Sequence, residues 1–359
     1  MTEHDERQRL TAAVQRNCDI ADARHAADTT LCVYLLQMRE LYRWSHGRAL
    51  DAALPRDEIG TWIAERETLW SGLETHDYVA LPGADGDAGI EPFDAEAVNA
   101  RVAPLGLVYG AGLVGQGRPV FFLAELHDRT SRDGLEVLAA GRELARGLLA
   151  PPAALAGEGR GPIMLRREAL ARWAWEQRET LTLRPQTRGP LRALVEAYGL
   201  DGDFQAALPR WLTEQGEMMV LHELGEHRAG ARLGPDWRAM RLALDSRRAE
   251  LHVRAVRDLL ADLEVTLPTL LDRGADAALH AWFANFDGLP ELLSPGLTAA
   301  YARWRGGDGG AALRAASAAG LAHFRALADE VLALHRAAPG RADTAIESLL
   351  ASPRAVFVG

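Results

Sequence analysis

Between residues 105 and 140 the apolar residues of this chain stop recurring every three or four positions and gather in two blocks, LGLVYGAGLV and PVFFLAELH. The segments on either side keep helical spacing, so the change of period points to a small sheet inserted into a helical protein. Gly115, Gln116, Gly117 and Arg118 separate the blocks, and GLEVLAAG follows at once. Three β-rich runs joined by glycine turns read as an antiparallel meander. One further extended candidate is the short run Pro162–Leu165.

Gly110, Gly112 and Gly115 match G-x-G-x-x-G after a strand, which is half of a dinucleotide-binding context. The other half fails, because that fingerprint needs a helix opening at its third glycine, and here GQGRP leads into another strand. A glycine-rich hairpin is expected instead.

The helical segments have their own punctuation. A first helix is expected near residues 5–24, and a second from an N-cap at Asp28 through Trp44 to a stop at Gly47. A third covers about Pro55–Gly72, and the stretch LPGADGDAGIEPFD, 81–94, is a linker whose last residue, Asp94, caps a short helix. From Glu143 on, the pattern is helix interrupted by Pro and Gly, with a helix-forming alanine-rich stretch at 311–334. The fold class is therefore mainly α (α+β): a multi-helix domain with a small antiparallel β-meander inserted near residues 105–140. By texture the chain divides into an N-terminal helical region (1–100), a small β-containing region (101–165) and a C-terminal helical region (166–359), separate or integrated as one domain.

Two scarcities exclude whole classes of chemistry. The chain has no lysine, so its 40 basic residues are all arginine. Pyridoxal-phosphate Schiff bases, the P-loop lysine and the kinase lysine are thereby ruled out, since a guanidinium stays protonated and cannot act as an amine nucleophile. With Cys18 and Cys32 as the only cysteines, one chain cannot supply a four-thiolate zinc or iron–sulfur site. Both are expected as buried thiols on helices. A net charge of −10 without a basic block weighs against nucleic acid and anionic membranes as partners. No apolar run has the length of a membrane span and the start, MTEHDERQRL, is charged, so the cytoplasm is the expected location. Homo-oligomerisation stays open.

VLHELGEH, residues 220–227, is the densest chemical signal. On a helix of about Glu214–Arg232 closed by Gly234 and Pro235, His222 and Glu226 fall about 40° apart on a face shared with Met218, Met219, Ala229 and Leu233. Polar groups on an apolar face must be paired, hydrogen-bonded or coordinating. Gly225, in mid-helix, implies that something packs closely against that side. H-E-x-x-H fails because Glu226 stands where the second histidine belongs, and H-x-x-E-H fails because Glu223 stands where its first should be. What is left is H-E-x-x-E: His222 and Glu226 as two ligands of a divalent metal (zinc, iron or manganese), with Glu223 as catalytic base. Asp22, His25, Glu40 or Asp258 would complete the shell.

The plainer alternative treats these groups as structural ion pairs. On a helix of about 243–264, Glu250, Arg254, Arg257, Asp258 and Asp262 share a polar face opposite Leu242, Ala249, Val253, Val256 and Leu260, as on a salt-bridged surface. Glu40 with Arg39 and Arg43 reads equally as a buried ion network, Asp22 with His25 as a cap beside a satisfied histidine, and Trp173 with Trp175 as core.

The segments RNCDIADARHA (16–26), LCVYLLQMRELYRW (31–44), LHELGEHRAG (221–230) and RAVRDLLAD (254–262) together resemble a family of bacterial proteins of similar length, to which no activity is assigned. The resemblance covers most of the chain and is most specific in its first two segments. It implies one shared architecture and no catalytic residue. Two functions are compatible with the residues: a metal-dependent enzyme, a hydrolase by class, or a non-catalytic interaction or regulatory protein.

Overall fold

The structure is a computed structural model that describes residues 2–83, 89–114, 117–155, 161–184, 188–338 and 341–359. It consists of two compact units, Met1–Glu176 and Gln177–Gly359.

The first unit opens with four helices, α1 (Glu3–His25), α2 (Leu31–Ser45), α3 (Arg56–Ser71) and α4 (Ala95–Val102). A capping box starts α1: the Thr2 hydroxyl accepts from the Asp5 amide while the Asp5 carboxylate accepts from that of Thr2. Asp94 caps α4 as expected, accepting from the Ala97 amide at 3.0 Å. The expected cap of α2 is corrected. Asp28 lies in a 3₁₀ turn, Ala26–Asp28, and the N-cap of α2 is Thr30, because Thr29 and Thr30 are both extended and delay the helix to Leu31.

Five strands follow: β1 (Leu107–Val114), β2 (Arg118–Arg132), β3 (Leu135–Arg146), β4 (Ala153–Leu155) and β5 (Ile163–Arg166), in the order β1-β2-β3-β5-β4. The first three form the expected antiparallel meander, and β5 joins β3 in parallel, with Val137 opposite Ile163. Asp133 (φ 50°) and Gly134 (φ 82°) make the β2–β3 turn in the left-handed region, as tight hairpins require. Gly110 has no side chain because the Phe122 ring occupies that space. Of the glycine triplet, Gly115 lies outside the described residues.

Helix α1 packs across the meander. Leu10, Val14, Cys18 and Ala21 meet Tyr109, Phe121, Leu123 and Ala145 in one fully buried cluster. Each large apolar side chain buried in this way contributes roughly 1.5–3 kcal/mol. Cys18 belongs to that core, whereas Cys32 is exposed on α2, which corrects the expectation of two buried thiols.

Helix α5 (Arg167–Leu183) runs directly on from β5, and the boundary between the units falls within it. The second unit continues with α6 (Pro190–Tyr198), α7 (Phe204–Ala243), α8 (Arg247–Ala261), a π turn (Asp262–Thr266), α9 (Leu267–Asp272), α10 (Asp276–Ala284), α11 (Gly288–Leu293), α12 (Pro295–Arg305), α13 (Ala311–Ala337) and α14 (Asp343–Leu350). The expected helix end at Gly234 is a kink instead: Gly234 (φ 75°, ψ −173°) breaks α7 before Pro235, and helix resumes to Ala243. Helix α8 starts only at Arg247, capped by Ser246, so Leu242 is exposed and contributes nothing to its apolar face. Among the described residues no helix is long and apolar enough to cross a membrane.

Candidate functional site

Helices α7 and α8 touch backbone to side at Gly225. A Cβ built there would stand 2.5 Å from the Ala261 carbonyl oxygen, so the mid-helix glycine marks a close approach, as its position implies. That contact sits immediately before the π turn, whose first residue is Asp262. The consequence is a charged network between the helices. His222 Nδ1 lies 2.8 Å from Asp262 Oδ1 and its Nε2 3.6 Å from Glu226 Oε1. Arg257 Nη2 donates to Glu226 Oε1 at 2.5 Å and to Asp258 Oδ1 at 3.1 Å.

The electrostatics follow from that geometry. Burial alone would lower the pKa of His222, but Asp262 and Glu226 at its two nitrogens raise it well above the usual histidine range. Glu226, though buried, is held low by His222 and Arg257, while Asp258 is pushed up by burial and by the charge of Glu226. Buried Glu223 adds its charge to the field at Arg257. The polar face of α8 is therefore not a uniform salt-bridged surface. Glu250 and Arg254 do pair outside at 3.7 Å, but Arg257, Asp258 and Asp262 turn towards α7. Among the described residues, no three His, Cys, Asp or Glu side chains form a group suited to a metal ion.

The first unit contains a cleft of about 1280 Å³, lined by α1, the end of α2, α3, β3 and α5. Its lining includes Glu143 of β3, Glu168 of α5 and Trp44 of α2. The Glu143 side chain has no exposed surface: Arg166 Nε donates to its Oε1 at 2.6 Å, and Arg146 Nη1 lies 3.5 Å from its Oε2. Burial opposes its charge, yet Arg166 and Arg146 hold its carboxyl below the usual range. Glu168 moves the other way, to about 7, through burial and the charge of Glu143. Neighbouring carboxyls with divergent acidities are a common feature of working sites.

Residues 9–166 match the model for the N-terminal domain of DUF6866, a family of unknown function, and residues 171–353 match the model for its C-terminal domain. The chain belongs to the DUF6866 family. Most of the residues lining the cleft fall in its N-terminal domain, with Glu168 just beyond it, and its C-terminal domain holds the His222 network. No curated protein and no solved structure matches the chain.

The remaining candidates lie in the DUF6866 N-terminal domain, each engaged locally. Glu40 is buried 3.4 Å from Arg43 Nε, and Arg43 also caps the Ala49 and Ala52 carbonyls at 2.8 Å. His25 is half-buried, with Nδ1 3.0 Å from Asp28. Asp22 is buried, and its oxygens accept from the Leu148 amide at 3.1 and 3.0 Å. Neither Glu143 nor Glu168 is conspicuous as a motif. The available signal is slight: of the four charged residues of β3, Glu136 and Arg142 are exposed while Glu143 and Arg146 are buried, a difference the sequence alone does not mark.

Asp22 supports a pH prediction. Burial pushes its carboxyl up to about 8 in spite of the Leu148 amide. A folded-state value above the unfolded 3.8 means that the folded form holds the proton more tightly, so stability declines as pH rises from about 4 to about 8. Glu168 adds a decline of the same sign. Urea denaturation at about pH 5 and about pH 8 is expected to show the N-terminal domain weaker at the higher pH, and Asp22→Asn to remove most of the difference. An unchanged difference in Asp22→Asn would show that Asp22 is not its source.

Proposed function

We propose that the DUF6866 N-terminal domain binds a small polar molecule in the cleft over Glu143, while the charged network of the C-terminal domain serves to hold its helices in register. The observation that carries this reading is the charge set beside the cleft, where one carboxylate is buried completely between two buried guanidiniums next to a second carboxyl of raised pKa. Well-packed apolar residues would hold the fold at least as firmly, so such a set is better explained by use than by stability. Free Cys18 and Cys32 suit the reducing cytoplasm, where we place the protein.

Ligand-observed NMR against a fragment collection tests the reading. Ala12 is exposed on the cleft wall, so Ala12→Trp should obstruct part of the cleft without disturbing the core. Fragments bound by the wild type are expected to compete with one another and to lose binding to Ala12→Trp. Hits that neither compete nor notice the tryptophan would defeat it.

A second reading keeps the divalent metal at His222 and Glu226, whose Nε2 and Oε1 lie 3.6 Å apart, with Asp262 at the other ring nitrogen orienting the imidazole and not sharing the ion. Zinc, iron or manganese there would have to displace Arg257 from Glu226 and take the proton from His222 before Glu223 could serve as a hydrolytic base. Plasma mass spectrometry of unchelated protein is therefore expected to find metal well below one ion per chain. Near-stoichiometric metal that disappears in a His222→Ala, Glu226→Ala variant would reverse the order of the two readings.

A further inference from the structure

We propose that the ligand of the cleft is an oxyanion, received by the guanidinium groups of Arg166 and Arg146; this rests on the reading of the cleft as a binding site. Both arginines are buried, with 2% of each residue exposed. Arg166 spends Nε on Glu143, but neither its Nη1 nor its Nη2 has a hydrogen-bond partner, and Nη2 of Arg146 has none either. Three N–H-bearing nitrogens removed from water without an acceptor are costly, and carboxylate or phosphate oxygens match their planar, forked geometry. Each guanidinium also lies over an aromatic ring, Arg166 Cζ 4.3 Å from the Phe122 centroid and Arg146 Cζ 5.7 Å from that of Trp44, contacts that take up no N–H group.

Charge balance points the same way. Two guanidiniums share a single tightly held carboxylate, Glu143, and the lowered pKa of Arg146, about 10, reflects burial next to the like charges of Arg172 and Arg166. Glu168 is the local group that could supply the missing negative charge, and its pKa of about 7 leaves it half-protonated at neutral pH. An incoming oxyanion takes that role from Glu168. Access is from the cleft: Glu143, which meets both guanidiniums, and Trp44, which meets Arg146, are among its lining residues, and the two arginines lie behind them.

The test is isothermal titration calorimetry of the full chain at about pH 8, where Glu168 is mostly ionised, with four separate probes: inorganic phosphate, succinate, putrescine and glucose. Phosphate or succinate is expected to bind. Glu168→Gln, which removes the competing charge but keeps the shape, should tighten that binding about tenfold, the effect of roughly one pKa unit of interaction. Arg166→Met should abolish it, and the Glu168→Gln result decides the matter if Arg166→Met fails to fold. Binding of putrescine or glucose alone, blocked by Ala12→Trp, would overturn the oxyanion and leave the cleft reading standing. Absence of binding by all four, or anion binding indifferent to both Glu168→Gln and Ala12→Trp, would overturn the oxyanion site. Fragment hits that ignore Ala12→Trp would by themselves remove the cleft reading.

Discussion

Gly225→Ala is expected to destabilise the C-terminal domain by about 3 kcal/mol, at the upper end of the cost of overpacking a core. The added methyl would meet the carbonyl oxygen of Ala261 at 2.5 Å, its carbonyl carbon at 2.8 Å and its Cα at 2.9 Å. All three are backbone atoms at the entrance to the π turn, and they cannot rotate away as a side chain would. Relief requires α8 to slide, which would pull Asp262 from its 2.8 Å contact with His222. Against this, alanine is favoured over glycine in a helix by about 1 kcal/mol. Gly230, on the same helix with nothing within 4 Å, isolates that term. Gly230→Ala should be neutral or up to about 1 kcal/mol stabilising in urea denaturation. If Gly225→Ala behaves like Gly230→Ala, the close approach is not real.

Glu143→Gln is expected to cost the N-terminal domain about 3–5 kcal/mol, the usual penalty for removing one partner of a buried ion set. The shape is kept, so the loss reports charge: Arg166 and Arg146 would both remain buried without the carboxylate that lies 2.6 and 3.5 Å from them. Converting all three together, Glu143→Met with Arg146→Leu and Arg166→Met, should recover most of the loss, because an apolar set leaves no unpaired charge. Urea denaturation of the single and triple variants provides the comparison. A cost below about 1 kcal/mol for Glu143→Gln would mean that the guanidiniums are neutralised by other groups.

Some of this architecture is legible before any coordinates. The meander shows in the sequence because strands bury side chains with a different period from helices, and the close contact at Gly225 shows because a mid-helix glycine has an intrinsic cost. Other features leave no local trace. The start of α2 is set by two extended threonines where Asp28 offers an equally good capping side chain. The inward turn of Asp258 and Asp262 depends on how α8 approaches α7, which helical periodicity alone does not specify. The cleft is the least legible feature. Its lining combines α2, β3 and α5, with Arg166 of β5 paired to Glu143, segments as far apart as Trp44 and Glu168, and no spacing rule links them.

The position of α1 has a consequence for synthesis. Its Cys18 thiol donates to the carbonyl of Phe121, its Gln15 bonds both to the Arg146 carbonyl and to the Arg146 amide, and its Asp22 accepts from the Leu148 amide, 126 residues later. At 5–20 residues per second, that gap of 126 residues keeps the helix waiting roughly 6 to 25 s for its partner. Until β1 begins at Leu107, Leu10, Val14 and Cys18 have no sheet to cover them. The first helix made thus waits for the sheet before it can dock, and a nascent chain halted before Leu107 would present its greasiest face to chaperones.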